Sequence, residues 1–562
     1  MSRHSLLPLM VLALSQGADA QLMPSFAQQP PTAGTLLQQI PPAPVPVEVA
    51  PRFDAQPSPA PASAAQDTAT LVVKRLTITG AAAYSEADLL AVAGFVPGRA
   101  MTLPALRQMA ARITDHYRRR GYFVAQAYLP AQDVQNGTVT IVVLEGQYGQ
   151  VTLNNTSRVS DGLANSLLSG LDRGDPITTQ PLETRLLLLS DLPGVTVQST
   201  LTPGSVAGTS DLRVDLLPGR RLTGSVDADN AGNRYTGANR IGATIQLNEL
   251  IGQGDVASLR AVTSGPGLTY VIGAYQIQLG RAKVGLSYSY LDYSLIREFK
   301  SLESSGTAKV ASAFGSYPLI RSRDTNLNVG LAYNAKTFQD RVDTAAFVSD
   351  KTVNAAVATL YGDHRDNLGG GGLGSYALSL TSGQVDLQTP AVRTVDALTA
   401  QSNGHYTKLG YSAARLQNVA ESVWFYAAVN GQLASKNLDP SEKMELGGLY
   451  AVRAYPEGEG YADQGYALNL ELRVGLPKLT ETMPGQMQLI GFVDTGTVSI
   501  NKDPWTNGSN HRTLSGAGIG LTWMDNNNFA LRTYYAFKLG NGVALSAPDA
   551  SGRFWIQAVK FF

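Results

Sequence analysis

The chain has 562 residues, and 44 lysines and arginines balance 44 aspartates and glutamates, so the formal net charge at pH 7 is +0. This balance excludes the basic footprint that a nucleic-acid-binding protein needs. Beyond the N-terminus the sequence has no run of about 18 apolar residues, which excludes a helical membrane protein. The absence of cysteine removes disulfides and thiolate chemistry, and it is compatible with export through an oxidising compartment.

The first 20 residues predict a signal peptide. A short basic start and the apolar segment LLPLMVLAL end in the small-residue pattern ADA, which predicts cleavage before Gln21. Residues 21–70 are rich in Pro, Ala and Gln, and such a composition cannot bury enough apolar surface to fold alone. This Pro-rich linker holds one helix-compatible island, AGTLLQQI.

The next two segments, 71–146 and 147–220, repeat one pattern. Each predicts the order β-α-α-β-β, so a unit of about 75 residues occurs twice. In the first copy Ser85 and Thr102 are placed to cap the two helices, and Gly121 is placed to end the second helix in a left-handed turn. The sequence therefore predicts two small α+β domains ahead of the remaining chain.

From residue 221 to residue 562 the helical patterns disappear, and strand-like runs alternate with breaks rich in Gly, Asn, Asp and Pro. The runs number sixteen, and an even number fits a closed antiparallel barrel whose two chain ends lie on the same side. Breaks such as 318–324 are short, whereas 384–398 and 435–465 are long, as turns and loops on opposite sides of a barrel should be. The predicted strands are 222–231, 239–248, 255–264, 269–279, 282–293, 305–317, 325–335, 349–362, 373–383, 400–413, 421–434, 466–476, 486–499, 513–524, 529–539 and 553–562.

Two alternating runs near the C-terminus, YALNLELRVGL and MQLIGFVDTGTV, contain the candidate site. In the second run the period of two places Phe492, Asp494 and Gly496 on one face. A carboxylate in the middle of a strand is costly unless it faces water or a cation. Arg453, in the loop before the first of these strands, is the nearest conspicuous cation.

The string VRAYPEGE, from Val452 to Glu459, followed by FVDTG around Asp494, resembles the paired signature of the two-partner secretion transporters, the TpsB type related to ShlB, FhaC and HecB. The resemblance implies a membrane β-barrel of sixteen antiparallel strands, residues 221–562, preceded by two α+β POTRA domains. Ala454 stands where the commoner loop motif has glycine.

The resemblance also implies roles for five residues. Arg453 and Tyr455 belong to the tip of the sixth outer loop, which folds back into the barrel. There the arginine meets the motif of the thirteenth strand, Phe492, Asp494 and Gly496. We interpret the pair of Arg453 and Asp494 as a structural lock that fastens the loop tip to the inner wall.

As a member of this family the protein would be an outer-membrane translocation pore, with its POTRA domains in the periplasm and no enzymatic activity. It would recognise one large, unfolded, secreted exoprotein of adhesin or haemolysin type and export it to the cell surface. Its other expected contacts are outer-membrane lipid and the barrel-insertion machinery, which reads a terminal aromatic residue such as Phe562. We expect a monomer without cofactor, metal or nucleic acid. The resemblance further offers the AGTLLQQI island as a helix that plugs the pore.

Two other functions fit parts of the sequence. A barrel-assembly factor of the same superfamily inserts other barrels, although it typically carries more POTRA repeats than two. A passive porin accounts for the barrel and leaves the repeats without a purpose. A hydrolase is disfavoured, because Ser402 and His405 form the one conceivable pair and have no identifiable orienting acid.

Overall fold

A closed barrel of sixteen strands forms the larger part of the molecule, and two small domains precede it in the chain. The computed structural model describes residues 30–45, 52–55 and 70–562. The predicted signal peptide and most of the Pro-rich linker lie outside the described residues. Within those described ranges no helix is both long enough and apolar enough to cross a membrane.

The helices begin and end where local signals predict. The Ser85 hydroxyl accepts the Asp88 N–H and the Thr102 hydroxyl accepts the Ala105 N–H, so both predicted caps are confirmed. Gly121 takes the predicted left-handed conformation, with φ 92°. Helices α1 to α6 are Ala33–Gln38, Glu86–Ala93, Leu103–Arg119, Asp161–Leu168, Thr179–Ser190 and Pro390–Leu398.

The strands of the first domain differ from the prediction in one respect. The single strand predicted from residue 71 is split into two short strands, and its first half pairs with an extra strand before the second helix of the domain. The other half lies in a three-stranded sheet with the last two strands of the domain. Strands β1 to β9 are Arg52–Ala55, Thr70–Val73, Arg75–Thr79, Arg99–Thr102, Gln126–Tyr128, Thr138–Leu144, Gln147–Asn155, Val195–Pro203 and Thr209–Pro218.

The second domain has a sheet of order β1-β8-β9-β7. Strand β1 comes from the linker and lies parallel to β8, with Arg52 opposite Gln198. Phe123 and Val124 of the first domain pack against the apolar core of the second, so the two domains share a contact. In each domain, leucine and alanine side chains of the helices are buried with valine and leucine side chains of the strands.

The barrel confirms the predicted number of strands. Each strand is antiparallel to the next, and the ring closes where the first strand pairs with the last, with Asp227 opposite Val559. The bounds of β10 to β25 are Leu222–Asp229, Arg240–Asn248, Val256–Thr263, Leu268–Leu279, Ala282–Ser294, Ser304–Arg321, Thr325–Val342, Phe347–Asp366, Gly372–Leu387, Gly404–Ala420, Val423–Ala434, Gln464–Leu476, Gln486–Ser499, His511–Asp525, Phe529–Lys538 and Gly552–Phe561.

Several central strands are longer than their sequence patterns suggest. The break predicted at 318–324 is reduced to 322–324, because β15 continues through Pro318. The pairing register with β16 shifts between Pro318 and Ile320. A bulge at this position accommodates a residue that has no N–H to donate, so the proline does not end the strand.

The two faces of the barrel wall have opposite character. Ile241, Ile245, Tyr535 and Phe537 point outward and are exposed, as their alternation predicts. Buried charged side chains, among them Arg260, line the inside. An apolar outer face and a polar inner face are what a membrane barrel requires.

The loop of residues 435–463, which follows β20 and which we name L6, folds into the barrel. Its residues Leu446, Val452 and Tyr455 are buried against Phe492 and Leu514 of the wall. The long loop predicted at 435–465 therefore fills part of the lumen.

Candidate functional site

The tip of L6 meets the inner wall through Arg453. Its Nε and Nη2 donate to Oδ2 and Oδ1 of Asp494 at 2.8 Å and 2.7 Å. The backbone N–H of Arg453 also donates to Asp494, at 3.1 Å. Arg453 is 4% exposed and Asp494 is 0% exposed. The two residues named from the sequence thus form a buried, two-pronged ion pair, the geometry that a guanidinium and a carboxylate prefer.

A second carboxylate, Glu471, shares the same guanidinium. Arg453 Nη1 donates to Glu471 at 2.7 Å, and Arg473 donates to the other oxygen of that carboxylate at 2.8 Å. Asn469 donates its amide to Asp494 at 2.7 Å. The sequence interpretation left these three residues out of the site. A usable signal was present, because Asn469, Glu471 and Arg473 lie on one face of the alternating run.

Aromatic rings cover the face of the guanidinium. The Arg453 Cζ lies 3.6 Å from the centre of the Phe492 ring and 5.1 Å from the centre of the Tyr534 ring. The two rings meet edge to face, with their centres 5.9 Å apart. Phe492 therefore contributes a cation–π contact, which is strengthened where water is excluded. Tyr534 on β24 was not among the predicted site residues.

Gly496 leaves room for the loop. A Cβ added there would lie 2.4 Å from Cδ1 of Leu446 and 2.7 Å from the backbone oxygen of Tyr466, closer than non-bonded atoms approach, so the loop or the wall would have to shift. The fifth predicted residue, Tyr455, is buried, and its hydroxyl donates to the carbonyl of Gly542 at 3.1 Å. Tyr455 thus fastens the tip to the loop that follows β24, and it does not touch the Asp494 carboxylate directly.

The departure from the loop motif, Ala454, is matched on the opposing wall. A Cβ added at Gly516 of β23 would lie 2.4 Å from the Ala454 Cβ. The absence of a side chain at Gly516 therefore provides the space that the extra methyl group of Ala454 occupies. The buried tip accepts alanine because the wall lacks a methyl group there.

The last acidic residue of the loop string, Glu459, was not predicted to act. It is fully buried, pairs with Arg512, and accepts the N–H groups of Leu545 and Ser546 at 2.9 Å and 2.8 Å. This carboxylate joins L6 to the loop after β24. The tip is thus held on two sides, by wall strands and by a neighbouring loop.

The described residues contain no cluster of three or more histidine, cysteine, aspartate or glutamate side chains suited to a metal ion. Ser402 has an acid partner that the sequence interpretation did not identify, since its hydroxyl donates to Asp396 at 2.7 Å. Asp396 also accepts the N–H groups of Ser402 and Asn403, so this contact closes the end of helix α6.

Two family models match the chain. A model described as haemolysin secretion/activation protein ShlB/FhaC/HecB matches residues 208–523, which is more than half of the sequence. A model described as the ShlB-type POTRA domain matches residues 71–146.

Curated relatives match over most of their length. The heme/hemopexin transporter protein HuxB of Haemophilus influenzae is 28% identical over 479 residues, which cover 83% of this chain and 82% of HuxB. The outer membrane transporter CdiB of Escherichia coli is 24% identical over 474 residues, which cover 82% of this chain and 78% of CdiB.

Solved structures share the fold. CdiB from Escherichia coli superposes with a TM-score of 0.69 at 21% identity, over 90% of this chain and 93% of that one. BamA from Haemophilus ducreyi lacking POTRA domains 1–3 gives a TM-score of 0.51 at 14% identity, over 87% and 100%. Together with the family match, these findings place the chain in the ShlB/FhaC/HecB family of two-partner secretion transporters, non-enzymatic outer-membrane β-barrels with N-terminal POTRA domains that export partner exoproteins.

Proposed function

We propose that this transporter serves one large exoprotein of the adhesin or haemolysin type, which its POTRA domains recognise unfolded in the periplasm and which then threads the barrel. The observation that supports this most is the tip of L6, held inside the lumen by Arg453 and Asp494. A chain that crosses the lumen needs the space that L6 fills. Export therefore depends on a loop that is fastened in one defined position and can leave it.

Recognition in this proposal uses the edge of strand β8. Four residues of the chain itself, 52–55, already pair with residues 198–201 at this edge. Main-chain hydrogen bonds supply the affinity in such pairing and demand no particular sequence. An extended segment of the partner would bind in the same way, in place of the linker strand.

Helix α1 is the candidate plug. The N–H of Ala33 donates to Asp340 of β16 at 2.7 Å, and Arg240 of β11 donates to the carbonyl of Gln39 at 2.8 Å. Leu36 is buried with Tyr293 and other apolar residues of the wall. These contacts support a helix that closes the pore from within when no partner is present.

The proposal needs an energy source other than nucleotide hydrolysis, since the sequence contains no P-loop. Folding of the partner as it emerges supplies one, because a folded segment outside the membrane does not slide back.

The lock role of Arg453 and Asp494 is tested with Arg453→Ala and Asp494→Ala. Each change leaves a buried charge without its partner, which costs about 3–5 kcal/mol when the site is fully dry. We expect the barrel to remain inserted and export of the partner to fall by at least about tenfold, the factor that 1.4 kcal/mol represents. The measurement is the amount of partner in the culture medium at equal amounts of inserted transporter.

The matched control is Arg415→Ala, which breaks an ion pair of 2.6 Å with the half-exposed Asp366 elsewhere on the wall. We expect that variant to export normally. Unchanged secretion by both Arg453→Ala and Asp494→Ala would discard the lock.

The similarity to the heme/hemopexin transporter HuxB favours a second cargo, an exoprotein that binds haem or hemopexin. Mass spectrometry of the medium with and without the transporter distinguishes the two cargo classes, because only the true partner disappears. A general loss of outer-membrane proteins on depletion would instead favour an assembly factor. Conductance that persists after deletion of 71–217, with export unaffected, would favour a porin.

A further inference from the structure

L6 has a second attachment to the barrel, on strands β16, β17 and β19, whereas the partners of Arg453 lie on β21 and β22. Residues 439–442, which we name the seat, carry two buried carboxylates, Asp439 and Glu442. Lys351 Nζ lies 2.8 Å and 3.0 Å from the two oxygens of Asp439. Lys336 and Lys408 contact the two oxygens of Glu442 at 2.6 Å and 3.0 Å. The three lysines come from β16, β17 and β19, so three strands hold one short segment.

The other side of the seat touches helix α1. A Cβ added at Gly34 would lie 2.5 Å from Cβ and 3.0 Å from Cα of Ser441, so the helix backbone rests directly on the seat. Ser441 is itself fixed, because its N–H and hydroxyl donate to Asp439 at 2.9 Å and 2.6 Å. The seat therefore lies between the three lysines of the wall on one side and helix α1 on the other.

The seat and the tip of L6 are separate attachments. They share no residue, and they use opposite charges, since L6 supplies acids at the seat and a cation at the tip. Eleven positions separate Glu442 from Arg453 in the chain. Loss of one attachment therefore need not release the other.

We propose that Lys336, Lys351 and Lys408 are positioning residues that hold the seat under helix α1, and that this attachment determines how firmly the resting pore is closed. The inference rests on the plug role of α1 proposed above. It assigns a distinct task to each side of L6: the tip fixes the loop that export must move, and the seat fixes the helix.

The test is the conductance of the purified full-length protein in planar lipid bilayers, which needs no partner. The variant Lys336→Met with Lys408→Met leaves Glu442 buried without a cation. We expect the fraction of time spent conducting to rise at least about tenfold. The matched control, Arg415→Met, removes a cation from the same strand as Lys408 and should behave as the wild type. The conservative pair Lys336→Arg with Lys408→Arg should remain largely closed.

A cross-link shows whether the helix is what moves. The sequence has no cysteine, so Gly34→Cys with Ser441→Cys introduces a single possible disulfide, which forms after a small separation of the two backbones. In the Lys336→Met, Lys408→Met background we expect the oxidised protein to be closed and the reduced protein to conduct. Heat-modifiable migration on gels checks that every variant holds a folded barrel.

Each result has one meaning. A lysine double variant that stays as closed as a closed wild type, or conduction that persists in the cross-linked protein, overturns the seat. A wild type that already conducts most of the time discards the plug as well. Neither result bears on the export role, because that role is measured separately by secretion of the partner.

Discussion

The tip and the seat both bind L6 to the barrel wall through buried ion pairs, but they use different cations. At the tip, one planar cation binds two carboxylates from β21 and β22 and stacks on Phe492, so its orientation is fixed by four directed contacts. At the seat, three ammonium groups surround two carboxylates, and each acts as a point charge on a flexible stem. The guanidinium at the tip therefore fixes the direction in which the loop enters the site. The ammonium groups at the seat fix only the position of the two carboxylates, because a point charge has no preferred direction.

The largest difference in export is expected when the arginine of the tip is replaced by lysine and, separately, a lysine of the seat is replaced by arginine. Arg453→Lys keeps the charge and loses the fork that spans Asp494 and Glu471, so we expect export to fall about tenfold. Lys351→Arg at the seat keeps the charge near Asp439 and should leave export and resting conductance within about twofold of the wild type.

Partner secretion and bilayer conductance are measured on the same two variants. Equal losses for Arg453→Lys and Lys351→Arg would contradict the distinction between a directional tip and a non-directional seat.

A smaller effect is expected from the packing of the tip. Gly516→Ala places a methyl group 2.4 Å from the Ala454 Cβ and 3.0 Å from the Phe537 carbonyl. We expect a loss of roughly 1–3 kcal/mol at the tip and a few-fold drop in export. Adding Ala454→Gly should restore part of it, since the closest contact is then removed.

The control for this pair is Gly491→Ala on β22, where an added Cβ meets nothing within 4 Å. Thermal unfolding and partner secretion report the two quantities. If Ala454→Gly gives no relief to Gly516→Ala, the proposed fit between the two positions is wrong.

The smallest effect concerns a buried carboxylate that forms no ion pair with any other described residue. Glu249, in the turn between β11 and β12, is 3% exposed. Burial, followed by the charge of Asp255, raises its pKa from 4.5 to about 7. The folded state therefore favours the protonated acid, and stability falls as the pH rises from about 4.5 through 7.

Glu249→Gln should remove this loss and stabilise the protein above pH 7 by on the order of 1 kcal/mol, with little change near pH 5. Thermal unfolding at both pH values measures the difference, and export at neutral pH should not change. Glu481→Gln, an exposed glutamate in another turn, is the control. A variant that stabilises equally at both pH values would contradict the titration of Glu249.

Much of the barrel could be predicted from the sequence because its signal is local. Alternation with a period of two assigns Ile245 to the outside and Asp494 to the inside before any partner is known. The strand ends were harder, since Pro318 looks like a break and pairing with β16 carries the strand past it. The stabilisation that a strand gains by pairing with its neighbour cannot be deduced from the sequence of that strand alone.

The residues of the candidate site likewise fall into those that the sequence could predict and those that it could not. The residues of the L6 tip and of β22 stand in recognisable strings, so Arg453 and Asp494 could be named together. Glu471 carried a weaker signal, its place on the face that Asn469 and Arg473 share. The alternation of its strand predicts that Tyr534 faces inward, but not that it meets Arg453, because it reaches the guanidinium from β24 only when the sheet has closed.

The sequence by itself determined the order of the domains, the number of strands, the inward and outward faces, and the pair of Arg453 and Asp494. Only the tertiary structure decided that Asp439 meets Lys351 across 88 positions of chain, and that Glu442 meets Lys336 across 106. Local composition sets which face of a strand is polar. Which distant charge meets it depends on ring closure and on the path of L6 through the lumen, because charges attract over a few ångströms in space whatever their separation in sequence.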